Sequence, residues 1–245
     1  MSSRSQEATT ITYPGRELEP SRRARNWKRY FASMLQPHVR GDVLEVGAGI
    51  GNTTPFLLHA GVRSWQCIEP DPSMLDALDD AIDRLSVPTP VSRRAGTLQD
   101  LGDARFDTIL YIDVLEHIAD DGDELRRAAA LLRPGGRCVV LAPAYQWLYS
   151  PFDRAVGHAR RYDRSALEAL VPDGSRVLQS WYMDINGILL SAMNRFLFRR
   201  AQLTRAHILF WDRFCIPLSR LLDRLFGYRA GKSVICVYEK GDAHA

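Results

Sequence analysis

Three groups of residues have types and spacings that could do chemistry. The first is VLEVGAGIGNTT, residues 43–54. An apolar run, a glycine turn and a helix-like stretch bring backbone N–H groups against a ligand where any Cβ would block the approach. Glu69 belongs with it: it ends the next apolar run, 18 residues after Gly51, where a carboxylate can take both hydroxyls of a ribose. The second group is Asp113, Glu116 and His117, which directly follow the apolar run FDTILYI. The third is Tyr149, Asp153, His158, Arg160, Arg161 and Tyr162, in a polar, aromatic-rich stretch. Oxygen and imidazole groups so arranged could remove a proton from a hydroxyl or amine, or hold a divalent cation.

The elements needed to position these groups are legible as an alternation of strand and helix signals. Strands are expected at 42–46, 64–68, 91–95, 106–112 and 138–141, with helices over 53–59, 72–85 and 121–132 between them. The strands are apolar on both faces, so the sheet is parallel and covered on both sides. Beyond Pro143 the rhythm breaks. A loop over 144–163, a short helix over 164–170 and a sixth strand over 177–181 precede a helical, arginine-studded stretch over 184–226, and a last strand covers 233–238. Ahead of the sheet, Trp27, Tyr30, Phe31, Met34 and Leu35 recur at helical spacing from Ser21 to Pro37 or His38. The first 20 residues lack an apolar core segment and are expected to form a loose arm rather than a secretory signal.

A glycine turn followed by an acid after the second strand suits either NAD or S-adenosylmethionine. Three details favour the latter. The spacing is G-x-G-x-G, not the G-x-G-x-x-G of the dinucleotide fingerprint. Glu45 lies two residues before the first glycine, near the place of a cationic amino-acid portion, and Asp113 ends the fourth strand at the same sheet edge. A sulfonium and an ammonium suit these acids, whereas a pyrophosphate would be repelled.

With these residues in view, the chain resembles the class I S-adenosylmethionine-dependent methyltransferases over roughly residues 26–182. VLEVGAGIGNTT resembles their first motif, CIEPDPSML their ribose-binding segment, FDTILYIDVLEHI the segment after strand four and LLRPGGRCVVLAP the entry to strand five. The resemblance implies a doubly wound α/β fold: a seven-stranded, mostly parallel sheet of order 3-2-1-4-5-7-6 with the last strand antiparallel. It also implies that Glu45, Gly47, Ala48, Gly49, Gly51, Glu69 and Pro70 line the cofactor. Asp113 and Val114 would lie near its methionine moiety, and Gly96, Thr97 and Leu98 would flank adenine. Thr97 stands where many relatives carry an acid, so adenine recognition there would rest on the Leu98 backbone. A bare structural turn would account for the glycines but not for four further segments matching in order.

Catalytic candidates are His158, His117 and Tyr162, with His158 favoured as general base. Asp113-x-x-Glu116-His117 with His158 is similar to the E-x-x-E-H…H metal constellation of small-RNA 2′-O-methyltransferases and to a segment of ubiquinone-pathway O-methyltransferases. The bland alternative, in which Glu116 and His117 only shape the loop, is preferred, and no metal ligand is assigned. PFDRAVGHARRYDRSAL resembles a stretch of bacterial methyltransferases encoded near glycosyltransferases.

The composition bounds the class. The chain has 245 residues, 46% hydrophobic and 25% charged, which excludes a disordered chain, a collagen and a polytopic membrane protein. Four scattered cysteines, Cys67, Cys138, Cys215 and Cys236, exclude a disulfide framework and point to a reducing cytosol. A net charge of +3 hides a segregation: residues 41–190 are net −8, residues 1–40 net +5 and residues 191–245 net +6. Residues 193–229 hold eight arginines among many aromatic and aliphatic side chains. Three readings compete there: a helical lid, a peripheral membrane surface and, least favoured, a nucleic-acid surface.

The expected organisation is an N-terminal arm and helical cover (1–40), an S-adenosylmethionine-binding core (41–182), a helical insertion (183–230) and a last strand with tail (231–245). The expected activity is methyl transfer to a small or lipid-like natural product or sugar conjugate, on oxygen in preference to nitrogen or carbon. The expected location is the cytoplasm, with peripheral contact at the inner face of the membrane. The alternatives are an RNA or polyprenyl-phenol O-methyltransferase with a metal site, a cofactor-binding partner protein without transfer activity, and an NAD(P)-dependent reductase.

Overall fold

A computed structural model of the chain describes residues 22–202 and 204–242. The arm expected over the first 20 residues lies outside them. In chain order the elements are α1 (Arg25–Leu35), β1 (Gly41–Val46), α2 (Thr54–Leu57), β2 (Val62–Glu69), α3 (Leu75–Asp83), β3 (Val91–Ala95), β4 (Phe106–Ile112), α4 (Asp121–Leu131) and β5 (Leu132–Pro143). There follow α5 (Pro151–Ala155), α6 (Arg164–Glu168), β6 (Ser175–Met183), α7 (Ile185–Met193), α8 (Arg205–Phe210), α9 (Ile216–Leu225) and β7 (Ser233–Lys240). The sheet order is β3-β2-β1-β4-β5-β7-β6, with β7 antiparallel to both neighbours, as the resemblance implies.

Alternate burial along the central strands explains the layers. Leu44 of β1, Ile109 and Tyr111 of β4, and Cys138 and Val140 of β5 enter one apolar cluster, roofed by Leu125 and Ala128 of α4 and Leu167 of α6. Val43, Leu110, Val139 and Leu141 enter a second cluster on the other face, against Trp27, Tyr30 and Phe31 of α1, Leu78 of α3 and Ile216 of α9. Strands buried on both faces require helices on both faces.

Two elements depart from expectation. β5 begins at Leu132 and runs through Pro134-Gly135-Gly136, which reads in sequence as a helix stop and loop. The 144–163 stretch, expected as a loop, contains α5, entered through a capping box in which Asp153 accepts from the backbone N–H and hydroxyl of Ser150, both at 2.8 Å.

The helical stretch before β7 is tied down by three buried aspartates. Asp212 accepts from the backbone N–H groups of Trp27 (2.8 Å) and Asn26 (3.2 Å), serving α1 as a cap borrowed from a distant segment. Asp223 accepts from the N–H groups of Asp184 (2.7 Å) and Ile185 (2.9 Å) and from the Tyr30 hydroxyl (2.9 Å). Asp184 accepts from the Gly187 N–H (3.1 Å), the Ser219 hydroxyl (2.5 Å) and the Trp211 indole N–H (2.8 Å). Acids in an amphipathic sequence read as solvated. Here they replace apolar packing.

Candidate functional site

The glycine turn leaves β1 with Gly47, Gly49 and Gly51 at φ +63°, +56° and +71°, the left-handed region. A Cβ on Gly47 would lie 2.8 Å from both methyls of Val114, and one on Gly51 would lie 2.7 Å from the Ala81 Cβ of α3. These glycines therefore bring the segment after β4 and helix α3 against the turn. Gly47 and Ala48 also donate to the Ile68 carbonyl at 2.8 and 3.2 Å, locking the turn to β2.

Glu69 divides its carboxylate: Oε2 accepts from the Gly49 N–H at 2.8 Å and Oε1 from the Asp71 N–H at 2.9 Å. Burial pushes its carboxyl up and the two backbone bonds pull it down. Each oxygen keeps a lone pair, which fits two ribose hydroxyls. The Asp71 charge beside it disfavours a pyrophosphate. Gly96 donates to the Glu69 carbonyl at 3.0 Å, so the expected adenine flank adjoins the expected ribose acid. The Thr97 N–H is held by Asp100 at 2.7 Å and the Leu98 side chain is buried in the core. Sequence reading passed over Asp100; the T-x-x-D spacing of a capping box would have found it. Pro70 is half-buried at the end of β2.

Glu45, expected near the cofactor's cationic end, lies beneath the turn, 2% exposed. Its Oε2 accepts from the Thr54 hydroxyl at 2.6 Å and the Trp65 indole N–H at 3.0 Å. These bonds tie β1 to α2 and β2. Burial pushes its carboxyl from an ordinary 4.5 up to about 7. The folded state thus holds a proton that the unfolded chain releases, and stability falls as pH rises from 4.5 through about 7. Glu45→Gln keeps an acceptor without the charge. It is expected to match the wild type at pH 4.5 and to be more stable above pH 7 by up to about 3 kcal/mol. Urea unfolding at both pH values checks this, and a pH-independent difference would refute it.

The second and third residue groups converge. Asp113, at φ +55°, turns the chain after β4, and its N–H donates to the Leu141 carbonyl at 2.8 Å. Val114 faces Gly47, and Glu116 and His117 follow in a tight helical turn. The 144–163 stretch folds back here, with the Ala159 N–H donating to the Glu116 carbonyl at 2.7 Å. His158 Nδ1 is 2.9 Å from Asp153 Oδ1, and Asp153 is fully buried. Arg161 also grips Asp153, through Nε at 2.7 Å and Nη2 at 2.9 Å. These partners hold the Asp153 carboxyl well below the usual range, although burial alone would raise it. His158 Nε2 lies 3.8 Å from Glu116 Oε1, and the His117 and His158 rings meet edge to face at 4.7 Å. Burial and the neighbouring His158 pull His117 down to about 4, so its imidazole is neutral at physiological pH. Glu116 is wholly buried and neither carboxylate oxygen has a hydrogen-bond partner. Burial and the charge of Asp113 push it well above the usual range.

Tyr162 does not belong with the other two catalytic candidates. It is 2% exposed, and its hydroxyl donates to Asp121 at 2.8 Å and lies 3.2 Å from the Leu115 carbonyl. With its ring packed in the core and its hydroxyl committed, it fastens the returning loop rather than meeting an acceptor.

A family model described as a methyltransferase domain matches residues 44–138. A ubiquinone biosynthesis O-methyltransferase from Azorhizobium caulinodans is 33% identical over 111 residues, 44% of this chain and 43% of that protein. The chain thus spans about two fifths of the length of the curated relatives it matches. Among solved structures, a chain of the Haloferax volcanii complex between the Trm112 methyltransferase activator and a methyltransferase superposes with TM-score 0.64 at 17% identity. It covers 95% of this chain and 100% of that one. The [4+2]-cyclase SpnF superposes with TM-score 0.59 at 14% identity, over 87% of this chain and 80% of that one. Residues 44–138 thus match a methyltransferase domain, and the sheet order is that of the class I, Rossmann-like methyltransferase fold. S-adenosylmethionine is the cofactor that the matched domain and this fold imply, and the half-satisfied Glu69 carboxylate beside Asp71 fits its ribose and its positive charge.

Proposed function

We propose that the protein transfers the methyl group of S-adenosylmethionine to a hydroxyl of a small, lipid-like or sugar-conjugated acceptor. The observation that carries this reading is the Asp153–His158 pair beside the segment after β4. A buried carboxylate at Nδ1 fixes the ring and its tautomer, leaving Nε2 to accept a hydroxyl proton. Attack on a sulfonium methyl is an in-line displacement, so the rest of the site has to hold the acceptor in line and exclude water. Oxygen as the methylated atom is also supported by the name of the Azorhizobium relative. A cleft of about 580 Å³ beside α5 is lined by Arg154, Arg195 and Arg199 with Tyr149 and Phe196, which favours an acceptor carrying an anionic group.

A second reading is favoured by Glu116. Ligand atoms of Glu116, His117 and His158 lie within 4.8 Å of one another, and a buried carboxyl group without a hydrogen-bond partner is costly unless something binds it. A divalent cation held there would polarise an acceptor hydroxyl. Untagged protein that carries zinc, manganese or magnesium in stoichiometric amount, and loses transfer on EDTA treatment, would establish this reading over His158 acting alone.

Labelled S-adenosylmethionine incubated with host extracts tests the function. Label is expected in a compound extractable into organic solvent and carrying a methoxy group. Tight cofactor binding with no label transferred to any fraction would overturn the reading in favour of a non-catalytic partner protein. Displacement of S-adenosylmethionine by NADH would overturn it in favour of a reductase.

A further inference from the structure

Residues 205–225 form one unbroken helical run: α8, a π-helical turn over Trp211–Cys215, and α9. Its amphipathicity is inverted. The side facing the protein carries Asp212, Ser219 and Asp223 with Ile216, all buried. The side facing out carries Phe210, Phe214, Leu218, Leu221 and Leu225, at spacings of four, four, three and four. Their exposure runs from 49% at Leu218 to 73% at Leu225. A helix bathed in water places its apolar stripe inward. Three more large apolar side chains, Phe196, Leu197 and Phe198, stand exposed after α7. Isolated exposed leucines are ordinary, whereas a continuous apolar face of this length marks a contact surface.

The charges bordering the face identify what it contacts. Arg213, Arg220 and Arg224 are exposed on this helix, at spacings of seven and four that set them along one flank of the stripe. The Arg195 and Arg200 guanidinium groups lie 5.3 and 5.4 Å from the ring centres of Phe196 and Phe198. Both acids between residues 193 and 229, Asp212 and Asp223, are turned inward, so the face carries positive charge alone. A second copy of the chain would set arginine against arginine. A nucleic acid would use the arginines but leave the phenylalanine and leucine stripe in water. An apolar stripe flanked by arginines matches acyl chains beneath anionic headgroups, with the guanidinium groups reaching up to phosphates. Among the described residues no helix is long and apolar enough to cross a membrane, so a bilayer contact made by this run would be a surface contact.

We propose that the outward face of residues 205–225, with Phe196, Leu197 and Phe198, seats this protein on an anionic phospholipid bilayer as a peripheral, non-spanning contact. Phe196 also borders the proposed acceptor cleft, but the face of residues 205–225 lines no part of it. Bilayer binding without transfer would leave the proposal standing, and transfer by a protein that never binds a bilayer would remove it alone.

The test is cosedimentation of the full chain with vesicles of phosphatidylglycerol and phosphatidylcholine, against vesicles of phosphatidylcholine alone. The wild type is expected to pellet with the anionic vesicles and to be released by salt. The partition coefficient should fall about tenfold or more in Leu218→Ser/Leu221→Ser/Leu225→Ser and in Arg213→Gln/Arg220→Gln/Arg224→Gln. If a triple variant fails to fold by circular dichroism, Phe214→Trp substitutes for it: its emission, less that of the wild type, is expected to shift to the blue on addition of anionic vesicles. A wild type that stays in the supernatant at low salt, variants that pellet equally well, or an unshifted emission from the Phe214→Trp protein would overturn the proposal. So would a stable dimer in light scattering that the leucine variant splits.

Discussion

On the proposed function, His158→Ala is expected to lower kcat for methyl transfer by about 10²–10⁴-fold while leaving the Kd for S-adenosylmethionine within about twofold. The split follows from geometry. The proposed cofactor side of the site comprises the glycine turn, Glu69 and the Gly96 turn, none of which bonds to His158. The imidazole is instead held by Asp153 at 2.9 Å. Removing it is therefore expected to take away proton acceptance without loosening the proposed nucleoside pocket. Added imidazole should recover part of the lost rate in His158→Ala, because the cavity left behind keeps the Asp153 partner. A loss of transfer matched by an equal loss of cofactor affinity, with no rescue, would mean that His158 only holds the loop together.

Asp223→Ala destabilises the protein by about 3–5 kcal/mol, the range for breaking a buried charged hydrogen-bond network. Three donors lose their acceptor at once: the N–H groups of Asp184 and Ile185, which begin α7, and the hydroxyl of Tyr30 on α1. At about 2–4 °C per kcal/mol for a chain of this length, the melting temperature falls by roughly 10 °C. Tyr30→Phe removes one of the three bonds and should cost only about 1 kcal/mol. The damage should be local at first. Amide exchange in α7 and α9 should quicken well before exchange in β4 and β5, whose side chains pack on both faces of the sheet. Equal quickening throughout would show that the insertion and the sheet unfold as one unit.

The strands and their sequence were legible because a parallel strand covered on both faces is a local signal: a short apolar run between turn residues. β3 and β4 match the expected bounds to the residue. β5 was read as four residues of a twelve-residue strand, because Pro134-Gly135-Gly136 imitates a helix stop and hides the strand's entry. Among the candidate site residues, the glycines and Glu69 are legible by spacing. Their detailed work is not. Gly47 admits Val114 and Gly51 admits Ala81, contacts between segments far apart in the chain. Tyr162 shared a polar, aromatic stretch with His158 and looked equally able to do chemistry. Nothing local distinguishes a tyrosine whose hydroxyl is spent on Asp121 from one that is free.

By itself the sequence determined the sheet and the glycine turn at its edge. Strand periodicity, the turn chemistry of glycine and the placing of acids at strand ends are properties of neighbouring residues, and together they specify a cofactor-binding α/β sheet. Tertiary structure alone decided which ionisable groups meet and which brace. Asp153 and His158 are five residues apart, but they become a pair only because Arg161, Ser150 and the Glu116 segment close around them. Asp212 and Asp223 look like the solvated side of an amphipathic helix, yet they are the buried side, and the leucines and phenylalanines of the same helix are left facing out. The reason is physical. Helical periodicity says which residues share a face, and only the donors of α1 and α7, supplied from elsewhere in the chain, decide which face turns inward.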